Sequence, residues 1–201
     1  MDKVFTSVSY IFHPLFIPIA GTVSYFLVTP KYTSLSVQGG NILPIFILTV
    51  IIPILAFFIL RNLGLISSIF APTLKERKYP LYISLVLFFL ILYKVIPQHY
   101  VHELYYFFIG LVVSTSTALL LLFFKMRISL HLLGMGNLLM FLIALSIHFE
   151  VNITFAIAIF TLTTGLVATS RLYMHAHSKP EVLVGLMVGI ISQLVLLQYW
   201  L

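Results

Sequence analysis

The sequence predicts an all-α integral membrane protein, a single bundle of six or seven transmembrane helices. Three observations predict it. Of the 201 residues, 61% are hydrophobic and only 8% are charged. A soluble domain carries about a quarter charged residues, so this chain cannot cover a water-facing surface. Seven stretches approach the roughly 20 apolar residues that a helix needs to cross the hydrocarbon core. These stretches are continuous, without the alternation that marks the strands of a membrane β-barrel.

The elements follow in order along the chain. Residues 8–28 are apolar but interrupted by His13, Pro14 and Pro18, which predicts a kinked or re-entrant segment and leaves the count at six or seven. Residues 29–41 read as a polar, turn-rich loop and 42–60 as a span. Residues 61–80 connect it to a span over 81–96 and become basic towards their end. Residues 97–103 carry no lysine or arginine and lead to the span 104–124. A short basic stretch, 125–131, precedes the span 132–147. Residues 148–152, again without lysine or arginine, precede 152–169. The last connection holds Ser170, Arg171, His175, His177, Lys179 and Glu181, and a final span covers 182–200. No long polar insert interrupts the pattern, so residues 1–201 are expected to form one domain. The N-terminus lacks a strongly basic start and a small-residue cleavage site, and is expected to be mature sequence.

Composition also bounds the chemistry. There is no cysteine, which removes disulfides, thiolate metal ligands and cysteine nucleophiles. Eleven basic and five acidic residues give a net charge of +6. In so apolar a chain this charge favours membrane lipids or an anionic substrate as partners, not nucleic acid. The acidic side chains, Asp2, Glu76, Glu103, Glu150 and Glu181, are scattered and form no cluster for magnesium.

Counting crossings brings the basic stretches together. Two spans separate the Lys75 loop from the Lys125 loop, and two more lead to the Arg171 loop. An even number of crossings returns the chain to the same side. Lys75, Arg77, Lys78, Lys125, Arg127, Arg171 and Lys179 therefore share one side with Ser129, His131, His175, His177 and Glu181. Guanidinium and ammonium groups at a membrane surface suit phosphate. Two imidazoles beside them suit phosphoryl transfer, one attacking phosphorus and the other protonating the leaving oxygen.

Ser170-Arg171, five residues, His177, three residues and Glu181 resemble the third signature of the type-2 phosphatidic acid phosphatases, which is Ser-Arg, five residues, His, three residues, Asp. Ile128-Ser129-Leu130-His131 partly matches that family's Pro-Ser-Gly-His signature. "KERKYP" (75–80) loosely matches its Lys, six residues, Arg-Pro signature. The order and the placement between helices agree over roughly residues 60–195, the motif-bearing core. The resemblance implies a metal-independent membrane lipid phosphatase without a cofactor. It would act on a lipid phosphate: a phosphate monoester or diphosphate of a phospholipid, polyprenyl lipid or lipid A. By position, His177 would be the nucleophile forming a phosphohistidine, Glu181 would orient it, and His131 would be the general acid. Arg171, Ser129 and Ser170 would hold phosphate oxygens, with Lys75 and Arg77 in the role of the first signature. Glu181 is one methylene longer than the family's aspartate, and Leu130 stands where the family has glycine.

Simpler readings stand beside these. Ser178-x-x-Glu181 reads as a capping box with Pro180 in the first turn. Ser129 reads as a helix N-cap. Lys125 and Arg127 read as interfacial anchors, and His175 as an interfacial residue outside the signature. Gly185 and Gly189 form a small-residue pair for close helix packing. His13, His99, His102 and His148 have no matching partners and receive no chemistry. Two other functions remain open. One is a non-catalytic lipid-binding or transport protein. The other is a haem protein with His131 and His177 as paired ligands.

Orientation divides the indications. With seven spans, Lys3, Arg61, Lys75, Arg77, Lys78, Lys125, Arg127, Arg171 and Lys179 lie on the motif side and only Lys31 and Lys94 opposite. The positive-inside rule then places the site in the cytoplasm. The resemblance implies the outer face of the cytoplasmic membrane. Because some of these charges would serve phosphate, the outer face is expected.

Overall fold

Helix follows helix through the computed structural model, which describes residues 2–67, 73–96 and 101–201. Among the described residues there is no strand. Seven helical segments are long and apolar enough to cross a membrane: Lys3–Val28, Leu35–Asn62, Leu74–Val95, His102–Phe123, Leu130–His148, Thr154–Tyr173 and Lys179–Tyr199.

The first of these is broken where the sequence breaks it. Helix α1 (Asp2–Ile11) stops, a 3₁₀ turn covers Pro14–Phe16, and α2 (Ile17–Val28) follows. A proline cannot donate to the helical ladder, and its ring clashes with the preceding turn. Prolines also shape the second segment. Helix α3 (Leu35–Phe46) contains Pro44, a π-helical turn spans Ile47–Ile51, and α4 (Ile52–Asn62) has Pro53 in its first turn. Local π geometry is how a membrane helix re-satisfies backbone groups freed by proline.

Two connections are shorter than the sequence predicts. The loop placed at 29–41 ends at Ser34, because residues 35–41 already belong to α3. Helix α5 (Leu74–Leu90) starts well before residue 81, capped by the Thr73 hydroxyl, which accepts from Glu76 N at 3.2 Å. Lys75, Arg77 and Lys78 therefore lie on a helix and not on a loop. A π turn, Ile91–Val95, extends α5. His99 and the rest of 97–100 lie outside the described residues, as do 68–72.

Helices α6 (His102–Phe123), α7 (Leu130–His148), α8 (Thr154–Tyr173) and α9 (Lys179–Leu194) complete the bundle, with a 3₁₀ turn at Leu197–Tyr199. Helix α7 is central: 67% of its most apolar stretch is buried, the largest share of the seven. Apolar side chains gain little by leaving lipid for protein, so helices in a bilayer hold together by close packing and hydrogen bonds. Both are present along α7. Phe141 stacks on Phe107 with ring centroids 4.3 Å apart. Gln193 of α9 donates to Asn137 Oδ1 at 3.0 Å and to the Phe107 carbonyl at 3.1 Å, and Asn137 donates to Ser114 at 3.0 Å.

The α7–α9 seam is made of glycine. A Cβ at Gly185 would lie 2.6 Å from the Ser129 carbonyl oxygen. One at Gly136 would lie 2.5 Å from the Leu186 carbonyl. One at Gly189 would strike the Leu133 carbonyl and lie 2.8 Å from Asn137 N. Backbone meets backbone along this line, and Ser129 N donates to the Glu181 carbonyl at 3.0 Å across its end. The starts of α7 and α9 are thereby fixed against each other.

At the opposite end, Glu103 is buried and accepts from Lys31 Nζ at 2.5 Å, Tyr25 OH at 3.0 Å and His148 Nε2 at 3.2 Å. One carboxylate thus ties together α2 and the loop after it, α6 and α7. Removing this carboxylate would leave all three donors without their acceptor.

Among the described residues, three non-glycine residues adopt positive φ, all just past a helix end: Lys125 (59°), Glu150 (54°) and His175 (50°). His175 is exposed and closes α8 through His175 N to the Leu172 carbonyl and Ala176 N to the Arg171 carbonyl, both 3.1 Å. Left-handed backbone is costly for any residue with a Cβ. Replacing His175 by glycine is expected to raise stability by about 0.5–1 kcal/mol, after the entropy glycine adds to the unfolded chain. Thermal unfolding in detergent checks this; an unchanged or lower midpoint would contradict it.

Candidate functional site

One cleft holds four of the eight side chains that the sequence singles out. Its cavity volume is about 160 Å³, and it opens to the surroundings. Arg77, His131, Arg171 and His177 line it. They come from α5, α7, α8 and the loop between α8 and α9, so three stretches far apart in sequence face one space.

His177 is 8% exposed, and its Nδ1 meets Glu181 Oε2 at 2.7 Å. A carboxylate accepts only, so Nδ1 carries the proton and the neutral ring has its lone pair on Nε2. Burial lowers the His177 pKa from 6.5 to about 4. The bond to Glu181 raises it, and the charges of Arg77 and Arg171 lower it further. The ring is therefore neutral at pH 7. This favours the folded state above pH 6.5, and the contribution is lost as pH falls towards 4.

Glu181 has two structural attachments besides His177. Its carboxylate closes the capping box with Ser178, Oε2 accepting from Ser178 N at 3.4 Å. Its other oxygen lies 3.4 Å from Arg127 Nη2. Capping α9 and orienting His177 are thus one arrangement, because the cap fixes the carboxylate one helical turn from the ring.

His131 sits in the first turn of α7 and gives its Nε2–H to the Ser9 carbonyl at 3.0 Å. The carbonyl can only accept, which settles the tautomer of the neutral ring. Arg171 Nη1 donates to Ser9 Oγ at 3.1 Å, and Arg77 Nη1 donates to the Ile128 carbonyl at 3.2 Å.

Four of the sequence candidates do not line the cleft: Glu181, which reaches it only through its bond to His177, and Ser129, Ser170 and Lys75. Ser129 is fully buried as the N-cap of α7, its hydroxyl accepting from Leu132 N at 3.5 Å. Ser170 points at α1, donating to the Phe5 carbonyl at 2.8 Å and meeting Ser9 Oγ at 2.8 Å. Lys75 is exposed. These residues position the site or flank it.

The N-terminal segment takes part as well, although no motif in the sequence marks it. Ser9 bonds His131, Arg171 and Ser170, and His13 lines the cleft with its ring 5.4 Å from that of His131. The visible signal was the break at His13-Pro14, which places a polar residue inside an otherwise apolar span.

The rest of the cleft is mostly apolar, with Thr49, Ser84 and Thr115 as its polar exceptions. Ile17, Leu48, Leu81, Leu87, Phe88 and Leu111 line it, and four prolines (Pro14, Pro18, Pro53, Pro80) stand where helices bend or lose a ladder bond. On α5 the lining runs from Arg77 to Phe88, about 16 Å at 1.5 Å per residue. One end is cationic and the body is greasy. Among the described residues, no group of three or more His, Asp or Glu is placed to hold a metal ion.

Comparison with family models, with curated proteins and with solved structures finds no match. Fold and site define a multi-pass α-helical membrane protein with a histidine- and arginine-lined cleft.

Proposed function

We propose that the protein is a lipid phosphatase that hydrolyses a phosphate monoester or diphosphate of a membrane lipid through a phosphohistidine. The observation that carries this is the shared cleft: His177, held through Nδ1 by Glu181, opens onto the same space as His131, Arg77 and Arg171. Two guanidinium groups beside a low-dielectric wall attract an anion. The mostly apolar lining beside them suits the part of a lipid next to its headgroup, so an amphiphile with an anionic head matches the chemistry of the cleft. The resemblance of Ser170-Arg171, His177 and Glu181 to the type-2 phosphatidic acid phosphatase signature supports the same reading.

The chemistry runs in two steps. The Nε2 lone pair of His177 attacks phosphorus; the Nε2–P bond forms as the bond from phosphorus to the lipid oxygen breaks. His131 in its doubly protonated form keeps Nε2–H on the Ser9 carbonyl and gives the Nδ1 proton to the departing oxygen. A water then attacks phosphorus, loses a proton to His131 Nδ1, and the Nε2–P bond breaks to release phosphate. Glu181 stabilises the positive charge on the His177 ring while it carries the phosphoryl group. Arg77 and Arg171 stabilise the equatorial oxygens as charge spreads over them.

The site belongs in this reading to the outer face of a cytoplasmic membrane. A phosphate-release assay over a panel of phosphatidic acid, phosphatidylglycerol phosphate, polyprenyl diphosphate and lipid A tests the function. Absence of release from every one would sink it. The pH profile is a second check. Since His177 attacks only as the neutral ring and His131 gives up its proton only when doubly protonated, kcat/KM is expected to fall towards pH 8 as His131 loses that proton, and to fall again on the acid side with a limb near pH 4 from His177. An acid limb at an ordinary histidine value near 6.5 would contradict His177 as the buried nucleophile.

A further inference from the structure

The neutral rings of the cleft's three histidines differ in where their protons go. His131 places its N–H on the Ser9 carbonyl, and His177 places its N–H on Glu181. His13 does the reverse. It caps the 3₁₀ turn, and its Nδ1 accepts from Leu15 N at 3.3 Å. An N–H donated into Nδ1 puts the lone pair there, so the neutral ring carries its proton on Nε2. His13 lines the cleft together with Arg77, Arg171 and His177, and meets His131 edge-on at 81°. The segment that carries it is pinned four residues earlier, where Ser9 bonds both His131 and Arg171.

We propose that His13 is an anion-binding residue of this site, its Nε2–H holding a phosphate oxygen in the cleft alongside Arg77 and Arg171. Phosphate as the anion is taken from the function proposed above; the donor itself follows from the cap at Leu15 and the position of the ring. The break in the first membrane segment is then part of the binding machinery. Proline 14 ends the helix, the turn is capped by one nitrogen of His13, and the other nitrogen is presented to the ligand. A straight helix through residues 3–28 would supply no such donor.

Two substitutions separate the roles of the two nitrogens. His13→Asn keeps a side-chain acceptor for Leu15 N and so keeps the cap, but it is too short to present a donor where Nε2 stands. His13→Gln reaches further and retains an N–H near that position. The full chain would be placed in phosphatidylcholine nanodiscs and titrated with inorganic phosphate. A second titration would use dioctanoyl phosphatidic acid in a His177→Ala background, so that no turnover occurs. Thermal midpoints of all variants are recorded alongside.

His13→Asn is expected to weaken both probes about tenfold or more, the usual effect of losing a hydrogen bond to a charged group, with an unchanged midpoint. His13→Gln is expected to stay within about threefold of the unsubstituted protein, since it retains the donor. Wild-type affinity in His13→Asn, an equal loss in both variants, or no phosphate binding by the unsubstituted protein would each overturn the proposal. Weakening with phosphatidic acid alone would also overturn it, because the contact would then be to the lipid and not to the phosphate. Phosphate binding that depends on His13 without release from any lipid would leave this inference standing and sink the phosphatase. Phosphate release with binding indifferent to residue 13 would do the opposite.

Discussion

Replacing His177 by alanine is expected to abolish phosphate release, by on the order of 10⁴-fold or more, while the bundle stays folded. The size follows from the role: without Nε2 there is no atom to accept the phosphoryl group, and water must attack directly with only Arg77, Arg171 and His131 to help. The fold should survive because the loop carrying His177 is short and α9 keeps its cap through Ser178 and Glu181. Loss of the ring also removes a buried neutral imidazole whose pKa lies near 4, so the variant should lose less stability between pH 6.5 and 4 than the parent does. Kinetics on the best lipid of the panel, with thermal unfolding at both pH values, separates the two effects. Full activity in His177→Ala would remove the nucleophile from the mechanism, whatever the substrate.

The second large effect lies about three turns into α9, away from any reacting atom. Gly189→Ala is expected to destabilise the protein by about 2 kcal/mol or more and to cut activity sharply. The added Cβ would strike the Leu133 carbonyl and lie 2.8 Å from Asn137 N. Both are backbone atoms, which cannot rotate away as a side chain can. The helices would have to part, and α7 carries His131 while the start of α9 carries Glu181. Gly165→Ala is the control, since a Cβ there meets nothing within 4 Å. Thermal unfolding and turnover of the two variants check this. Equal midpoints in both would show that the seam tolerates separation and does not set the site.

What was legible in the sequence, and what was not, follows the range of the forces involved. The spans were legible because crossing hydrocarbon requires long apolar runs, and parity placed the basic stretches at one end without any packing knowledge. His131, Arg171, His177 and Glu181 were readable as a spacing. The choice between Arg77 and Lys75 was not, because it depends on helical phase. Once α5 starts at Leu74, residues 77, 80, 81, 84, 87 and 88 form one stripe, and that stripe lines the cleft. Lys75 falls off it. The sequence alone put the start of this span at residue 81, so the phase was lost. The signature points to Ser129 and Ser170 by position, while the structure commits their hydroxyls to a helix cap and to α1. Ser9, His13 and the Glu103 cluster depend on contacts between residues that are distant in sequence and follow no short spacing.

The most direct test is to trap the covalent step. Mixing the protein with ³²P-labelled lipid phosphate, quenching in base within milliseconds and mapping the labelled peptide should find a phosphoramidate, stable to alkali and labile to acid, on His177. Turnover with no trapped adduct, or an adduct on another residue, would contradict the phosphohistidine at this position.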